Sequence, residues 1–348
     1  MVWDTICHTN CTKVSDGIER TALRNRYALP VPCNRFEFTQ CFCCPIKLYI
    51  LLGVMEAKAG LRHAGISYLS GLGCNTAHCR TFFAWRYKMS RKYMTRSHFK
   101  HGDLILSYLD TGGKGLPLII ALHALWMEAA SYIRFADALS PEWRVVALDQ
   151  RGHGHSDHAA GYSREDYIGD ILALFEHLGV DKAVLLGNSL GGVNAYQFAA
   201  WNPERVTALI IEDIGPSPNA DASFVMAWEG TFPSREALNI QVGQRLAPYL
   251  QNSIRSSSNG WRLAFEPREM VESQMRLNGD HWADWLASRC PALLIRGRDS
   301  RVTTQDQLEQ MAARRPNTRL VTLDGGHVVH QDNPDGFRDA VLEFLCGL

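Results

Sequence analysis

The serine at position 189 stands in a sequence context that can turn a hydroxyl into a nucleophile. A short apolar run over 183–186 predicts a buried strand, and the segment from Gly192 onward has the pattern of a helix. Between them lies Gly187-Asn188-Ser189-Leu190-Gly191, which has the Gly-x-Ser-x-Gly pattern of a nucleophile elbow. The flanking glycines are needed because side chains there would collide with the neighbouring strand and helix. The pattern therefore predicts a strained turn that exposes the Ser189 hydroxyl.

A serine hydroxyl is a poor nucleophile at neutral pH, so it needs a general base and a carboxylate that orients the base. His327 follows the predicted strand 319–323, and Asp299 follows the predicted strand 291–297. Loops that leave the carboxyl ends of parallel strands lie at one edge of the sheet, where Ser189 is also expected. His327 is therefore the candidate base, and Asp299 is the candidate orienting acid.

Two further residues compete for these roles. His330 lies three residues beyond His327, but the Gly325-Gly326 pair allows His327 a close approach to the serine, so we favour His327. His330 is then expected to be structural or to line the pocket. Asp213 ends the predicted strand after the serine, which is another position where an acid can lie, and we favour Asp299 over it.

The elements that must hold these residues alternate between strands and helices from about residue 98 onward. A predicted hairpin over 98–113 comes first, and the later apolar runs are continuous, as expected for strands buried on both faces. This alternation predicts an α/β fold with a mostly parallel, doubly wound sheet covered by helices. The other predicted strands are 116–123, 143–149, 183–186, 207–213, 291–297 and 319–323, and the predicted helices are 127–139, 163–177, 192–200, 304–315 and 334–345.

Residues 214–290 interrupt this alternation. The segment is predicted to be helical, and an insertion of this length between two strands must pack somewhere. We predict that it forms a helical cap over the carboxyl ends of the strands, on a core made of residues 96–213 and 291–348. The segment is rich in aromatic residues: Phe224, Trp228, Phe232, Trp261, Phe265, Trp282 and Trp285.

The first 95 residues differ in composition from the rest of the chain. They hold 13 Lys and Arg against 5 Asp and Glu, and eight of the ten cysteines. They show no sustained periodicity, so we predict an irregular, poorly ordered extension, with Met89 or Met94 as alternative starts of the functional protein. The apolar run 45–55 is far shorter than the ~20 residues of a membrane span. Without a pair of Cys-x2-Cys motifs, a metal site in this segment is not favoured.

The composition of the whole chain is ordinary for a soluble globular protein, with 348 residues, 46% apolar, 21% charged and zero formal net charge. A balanced charge does not favour nucleic acid or an anionic membrane as a partner. Outside the first 95 residues only Cys290 and Cys346 occur, far apart, which indicates that disulfides are not needed. We therefore expect a cytoplasmic protein whose partner is a small molecule.

Residues from about 98 to 348, nearly three quarters of the chain, resemble α/β-hydrolase-fold proteins, because several motifs agree in order and spacing. The resemblance implies Ser189 as nucleophile, His327 as general base and Asp299 as the acid that orients it. It also implies that the loop with Asp149, His153, His155 and Asp157 is structural, so we expect neither a metal nor another cofactor.

The family's oxyanion loop matches residues 122–126, with Ala124 where glycine is commoner. By this resemblance, the N–H groups of Leu125 and Leu190 would form the oxyanion hole. Residues expected to line the substrate pocket are His123, Trp126, Trp228 and Phe232.

The activity that the resemblance implies is hydrolysis of carboxylic esters of small to medium hydrophobic substrates through an acyl-enzyme intermediate. Serine at the nucleophile position argues against haloalkane dehalogenases and epoxide hydrolases, which carry aspartate there. A carbon–carbon bond hydrolase of ring-cleavage products shares the Gly-Asn-Ser-x-Gly-Gly elbow, but its glycine- and proline-rich oxyanion loop is missing. A lactonase or perhydrolase-like enzyme would use the same residues. The alternative from another class is a non-catalytic ligand receptor on the same fold.

Overall fold

The computed structural model describes residues 94–348. The strands of this part of the chain are β1 (Thr95–His101), β2 (Leu104–Asp110), β3 (Leu118–Leu122), β4 (Arg144–Asp149), β5 (Ala183–Asn188), β6 (Val206–Glu212), β7 (Ile254–Ser257), β8 (Gly260–Leu263), β9 (Ala292–Gly297) and β10 (Thr318–Leu323). The helices are α1 (Ile133–Leu139), α2 (Arg164–Leu178), α3 (Leu190–Trp201), α4 (Arg235–Val242), α5 (Pro267–Leu277), α6 (Trp282–Ala287), α7 (Gln305–Arg314), α8 (Val329–Asp332) and α9 (Pro334–Leu345).

Eight of these strands form one sheet, in the order β1-β2-β4-β3-β5-β6-β9-β10. The β1–β2 and β2–β4 pairs are antiparallel, and the remaining neighbours are parallel. Every residue of β3, β4 and β5 is buried, because helices cover both faces of the sheet. Alternate residues of β3 enter opposite cores: Ile120 and Leu122 lie in one apolar cluster, Ile119 and Ala121 in the other. This is the predicted α/β-hydrolase fold, and the prediction is confirmed.

Local signals explain where the helix after β4 begins and ends. The Ser163 side chain accepts a hydrogen bond from the Asp166 N–H, and the Asp166 carboxylate accepts from the Ser163 N–H, which forms a capping box. Gly179 ends the helix in the left-handed conformation, with φ at 62°. The start of α2 is therefore fixed at the carboxyl edge of the sheet, near the loops that carry the candidate site.

The segment between β6 and β9 contacts the loops at the carboxyl ends of β3 and β4. The Trp228 ring lies 5.6 Å from that of Trp126, and the Ser253 hydroxyl donates to the Trp126 carbonyl at 2.9 Å. The Phe265 ring lies 6.3 Å from the His153 ring. These contacts are at the position where the expected cap would cover the site.

The elements differ from the predictions in several places. The segment between β6 and β9 is not purely helical, because β7 and β8 form an antiparallel hairpin within it. The predicted helix 127–139 divides into a 3-10 turn, Ala129–Tyr132, and the shorter α1. The strand expected from residue 98 already begins at Thr95. The predictions for residues 1–93, including the alternative start at Met89, lie outside the described residues. Among residues 94–348, no helix is both long enough and apolar enough to cross a bilayer.

Candidate active site

Ser189 occupies the turn between β5 and α3 in a strained conformation, with φ at 53° and ψ at −115°. A Cβ atom at Gly187 would overlap the carbonyl oxygen of Gly191, and one at Gly191 would overlap the carbonyl oxygen of Leu122. The two glycines therefore allow strand, turn and helix to approach closely. The Ser189 N–H donates to the Glu212 carbonyl at 3.1 Å, which ties the turn to the end of β6. The turn has the geometry of a nucleophile elbow.

The carboxylate that contacts His327 is that of Asp213. The His327 Nδ1 atom lies 2.7 Å from Asp213 Oδ2, and the Asp213 side chain is fully buried whereas that of His327 is 25% exposed. A carboxylate at Nδ1 places the ring proton on that nitrogen, so Nε2 keeps a free lone pair. Such an imidazole can accept a proton from a serine hydroxyl.

The expectation that Asp299 holds this histidine is wrong. Asp299 is exposed, and its N–H donates to the Gly325 carbonyl at 2.9 Å in the loop that precedes His327. The loop after β9 instead holds Asp213: Thr303 Oγ1 donates to it at 2.7 Å, the Gly297 N–H at 3.2 Å, and the Ser300 hydroxyl makes a third bond. Asp213 has a positive φ of 49°, a turn that brings its carboxylate beneath the imidazole.

The sequence does not distinguish Asp213 from Asp299 as the partner of His327, because both aspartates follow parallel strands that end at the same edge. Ser300 and Thr303 could have indicated that the loop after β9 holds a carboxylate. Their hydroxyls can donate to a neighbouring carboxylate, but a hydroxyl cannot orient an imidazole as an anion would.

A second histidine–carboxylate pair lies directly behind the first. His330 Nδ1 is 2.8 Å from Glu212 Oε2, and the His330 N–H donates to Glu212 Oε1 at 2.9 Å. The Tyr132 ring stacks on the His330 ring at 4.4 Å, which seals the pair inside the core. His330 is thus structural, one of the two roles expected for it, and it anchors the chain three residues after His327.

The Asn188 amide joins these parts of the site. Its Nδ2 donates to the Glu212 carbonyl at 3.1 Å and to the His327 carbonyl at 3.0 Å. The residue before the nucleophile therefore holds the backbone of the candidate base. Its sequence position in the elbow did not predict this role.

The N–H groups of Leu125 and Leu190 are oriented by the oxyanion loop and the first turn of α3. Among residues 94–348, neither N–H donates a hydrogen bond to the backbone of a turn or loop. Ala124 fits the loop where glycine is commoner, and the left-handed residue is Trp126, with φ at 72°. The two N–H groups therefore remain candidate donors to an oxygen that gains negative charge.

His123 was expected to line the pocket, but both of its ring nitrogens are engaged inside the protein. Nδ1 donates to the Ala124 carbonyl at 2.8 Å, and Nε2 accepts from the Gln150 N–H at 3.0 Å. Burial lowers the pKa of His123 to about 4. His123 is therefore a neutral structural residue of the oxyanion loop, and the sequence-based expectation is wrong.

The other three expected pocket residues lie in two different places. Trp126 and Trp228 meet edge to face, and the Phe224 ring lies 5.6 Å from Trp126 and 5.5 Å from Trp228. Phe232 instead pairs its backbone with Trp261 beside the β7–β8 hairpin. The aromatic residues next to the oxyanion loop are thus Trp126, Trp228 and Phe224, and the last was not among those expected there.

The fold and this arrangement define a class of protein, and sequence comparison agrees with it. The model of the alpha/beta hydrolase fold family matches residues 117–334, which is more than half of the chain. The protein belongs to the α/β hydrolase family.

Individual relatives extend over most of the core. The chain is 29% identical over 265 residues to the mouse sn-1-specific diacylglycerol lipase ABHD11, which covers 70% of this chain and 86% of the relative. It is 26% identical over 259 residues to 2-(acetamidomethylene)succinate hydrolase of Mesorhizobium japonicum, covering 70% of this chain and 92% of that protein. The solved structure of a marine microorganism esterase matches with a TM-score of 0.60 and 25% identity, covering 69% of this chain and 98% of that chain.

Proposed function

We propose that the protein is a serine hydrolase that cleaves carboxylic esters through an acyl-enzyme intermediate. The observation that carries the proposal is the bond between the His327 imidazole and the buried Asp213 carboxylate, on the same edge of the sheet as the elbow serine. An imidazole held in this way is the general base that a serine nucleophile requires. Relatives named as a lipase and an esterase support the ester as substrate.

In the proposed reaction, the Ser189 oxygen attacks the ester carbonyl carbon while its proton passes to His327 Nε2. Asp213 stabilises the imidazolium that forms and does not take the proton itself. The N–H groups of Leu125 and Leu190 receive the oxyanion, and His327 returns the proton to the leaving alkoxide. Water, deprotonated by His327, then attacks the acyl-enzyme, so one ester and one water give one acid and one alcohol.

The aromatic residues next to the oxyanion loop favour small to medium hydrophobic substrates. Trp126, which follows Leu125 in the chain, is half-buried, and its ring lies 5.6 Å from that of the buried Trp228, so the two rings supply apolar surface next to the oxyanion loop. Phe224 is 49% exposed at the outer end of this group. A compact apolar site bounded in this way suits short acyl chains better than long ones.

A fluorophosphonate probe tests the nucleophile, since it bonds covalently to an activated serine. We expect labelling of the wild-type protein and none of Ser189→Ala. Absence of labelling in the wild type, or equal labelling of both proteins, would refute the enzyme proposal.

Nitrophenyl esters of increasing chain length test the substrate class. The expected result is highest kcat/KM for short to medium chains, with a vinylogous diketo acid left intact. Cleavage of the diketo acid faster than of any ester would replace ester hydrolysis by carbon–carbon bond hydrolysis as the function.

A further inference from the structure

The Arg164 side chain is largely buried against α3, and its guanidinium forms no ion pair with a carboxylate among the described residues. Its Nε donates to Gln197 Oε1 at 2.8 Å, and its Nη2 donates to Asn194 Oδ1. Both acceptors are neutral amides on α3. Burial lowers the pKa of Arg164, because the charged form loses hydration and nearby acidic groups such as Asp284 offset that loss only in part. The guanidinium also lies 5.3 Å from the centre of the Tyr167 ring, and none of these three partners is an anion.

From Arg164, one line of hydrogen bonds leads to the oxyanion loop. Asn194 Nδ2 donates to Gln150 Oε1 at 2.6 Å, and Gln150 Nε2 donates to the His123 carbonyl at 2.7 Å. The Gln150 N–H also donates to His123 Nε2 at 3.0 Å. We name the series Arg164, Asn194, Gln150 and His123 the amide relay. Its last three members are fully buried or nearly so.

The direction of every bond in the amide relay is fixed by its two ends. Arginine can only donate, so the Asn194 oxygen must face it and the Asn194 nitrogen must face Gln150. A backbone carbonyl can only accept, so the Gln150 nitrogen must face His123 and its oxygen must face Asn194. The donor-only and acceptor-only ends therefore fix the orientation of both amides.

We propose that Arg164 is a positioning residue that fixes the oxyanion loop by orienting the amides of Asn194 and Gln150. The proposal rests on the proposed function, because it assigns a role in catalysis to the loop that carries the Leu125 N–H. The His123 carbonyl lies two residues before Leu125, and the His123 ring is held by the same Gln150. Loss of the relay's direction would leave two acceptors facing each other at the base of the loop.

The decisive variant is Asn194→Asp. A carboxylate at this position still accepts from Arg164 and supplies the missing counter-ion, so thermal stability should not fall. It cannot donate, however, so Gln150 must turn its nitrogen toward residue 194 and its oxygen toward the His123 carbonyl. We expect kcat for a nitrophenyl ester to fall on the order of tenfold or more, with KM within about twofold, since an oxyanion-hole donor acts on the transition state.

The matched control is the double variant Gln197→Glu with Asp284→Asn. Gln197 accepts from the same guanidinium, and its Nε2 donates to Asp284 Oδ2 at 2.7 Å and lies 3.2 Å from His281 Nδ1. The double variant also places a carboxylate on Arg164, and the amide introduced at position 284 can donate to that carboxylate, so the charge of the group is unchanged. We expect kcat within about twofold of the wild type, because this branch does not reach His123.

A second pair of variants covers the case in which Asn194→Asp does not fold. Arg164→Lys keeps a residue that only donates and should retain most of kcat. Arg164→Glu can only accept, so it would reverse both amides as Asn194→Asp does and should lower kcat by about the same factor.

The outcomes separate this proposal from the proposed function. A wild-type protein without esterase activity would refute the function. An active wild type with unchanged kcat in Asn194→Asp, an equal loss in the control, or equal kcat in Arg164→Lys and Arg164→Glu would refute the relay alone. A change confined to KM would also refute it, because the loop would then act in substrate binding.

Discussion

Two imidazole–carboxylate pairs meet at the end of β6, and their surroundings differ. Asp213 and Glu212 are adjacent. Asp213 Oδ2 lies 2.7 Å from Nδ1 of His327 in the loop after β10, and Glu212 Oε2 lies 2.8 Å from Nδ1 of His330 in α8. The His327 side chain is 25% exposed, whereas that of His330 is 1% exposed beneath Tyr132. The same pair of functional groups is therefore available to solvent in one case and closed in the other.

A carboxylate partner alone therefore does not give a histidine a catalytic role. His330 has a carboxylate partner as good as that of His327, but its Nε2 is buried and has no hydrogen-bond partner among residues 94–348. A proton acceptor that neither substrate nor water can reach contributes to stability rather than to turnover. His327 differs because a quarter of its side chain is exposed.

His327 should contribute far more to activity than to stability. His327→Ala should lower kcat on the order of 10⁴-fold or more, because the nucleophile loses its base. Its melting temperature should stay close to that of the wild type, since the side chain is partly exposed. Steady-state ester hydrolysis and a thermal melt of the same samples measure both quantities. A residual rate within tenfold of the wild type would show that another group is the base.

The two candidate acids should differ in their effect on kcat. Asp213→Asn should lower kcat by about 10⁴-fold, because an amide can favour the wrong tautomer of His327. Asp299→Asn is the control and should keep kcat within about twofold, since its carboxylate is exposed and apart from the imidazole. Equal losses, or a larger loss in the Asp299 variant, would contradict the structural assignment.

The buried pair should matter for stability. Glu212→Ala leaves the N–H and Nδ1 of His330 without an acceptor in the core, and breaking such a pair costs about 3–5 kcal/mol. Urea unfolding of the variant beside Asp299→Asn provides the measurement, and the control should unfold as the wild type does. Wild-type stability of Glu212→Ala would show that the pair does not anchor the loop.

Two further histidines, His123 and His153, are buried and have no carboxylate partner within residues 94–348, so they should make stability depend on pH. Burial lowers the pKa of His123 to about 4 and that of His153 to about 3, from an ordinary 6.5. Below pH 6.5 the unfolded chain binds protons that the folded chain refuses, so stability falls as the pH drops from 6.5 toward 4. Each histidine contributes about 1.4 kcal/mol per pH unit to this slope.

The slope is measured by urea unfolding at several pH values in this window. His153→Gln cannot titrate, so its stability should depend less on pH than that of the wild type. An unchanged slope would mean that His153 is protonated in the folded protein.

Much of the fold could be predicted from the sequence because its signals are local. The continuous apolar runs of β3, β4 and β5 reflect burial on both faces, and the elbow glycines reflect a turn that excludes a Cβ. The 3-10 turn before α1 and the β7–β8 hairpin were missed, because tertiary contacts override weak local preferences there.

From the sequence alone we could predict the strand, turn and helix around Ser189 and the position of His327 at the same edge of the sheet. Only the tertiary structure decided that Asp213 and not Asp299 meets His327, that His123 is internal, and that Arg164 connects through two amides to the oxyanion loop. The two kinds of feature differ in the sequence separation of the residues that specify them. A turn that requires glycine is specified by five consecutive residues, whereas a hydrogen bond between residues 213 and 327 depends on how two loops bend after strands that both end at one edge.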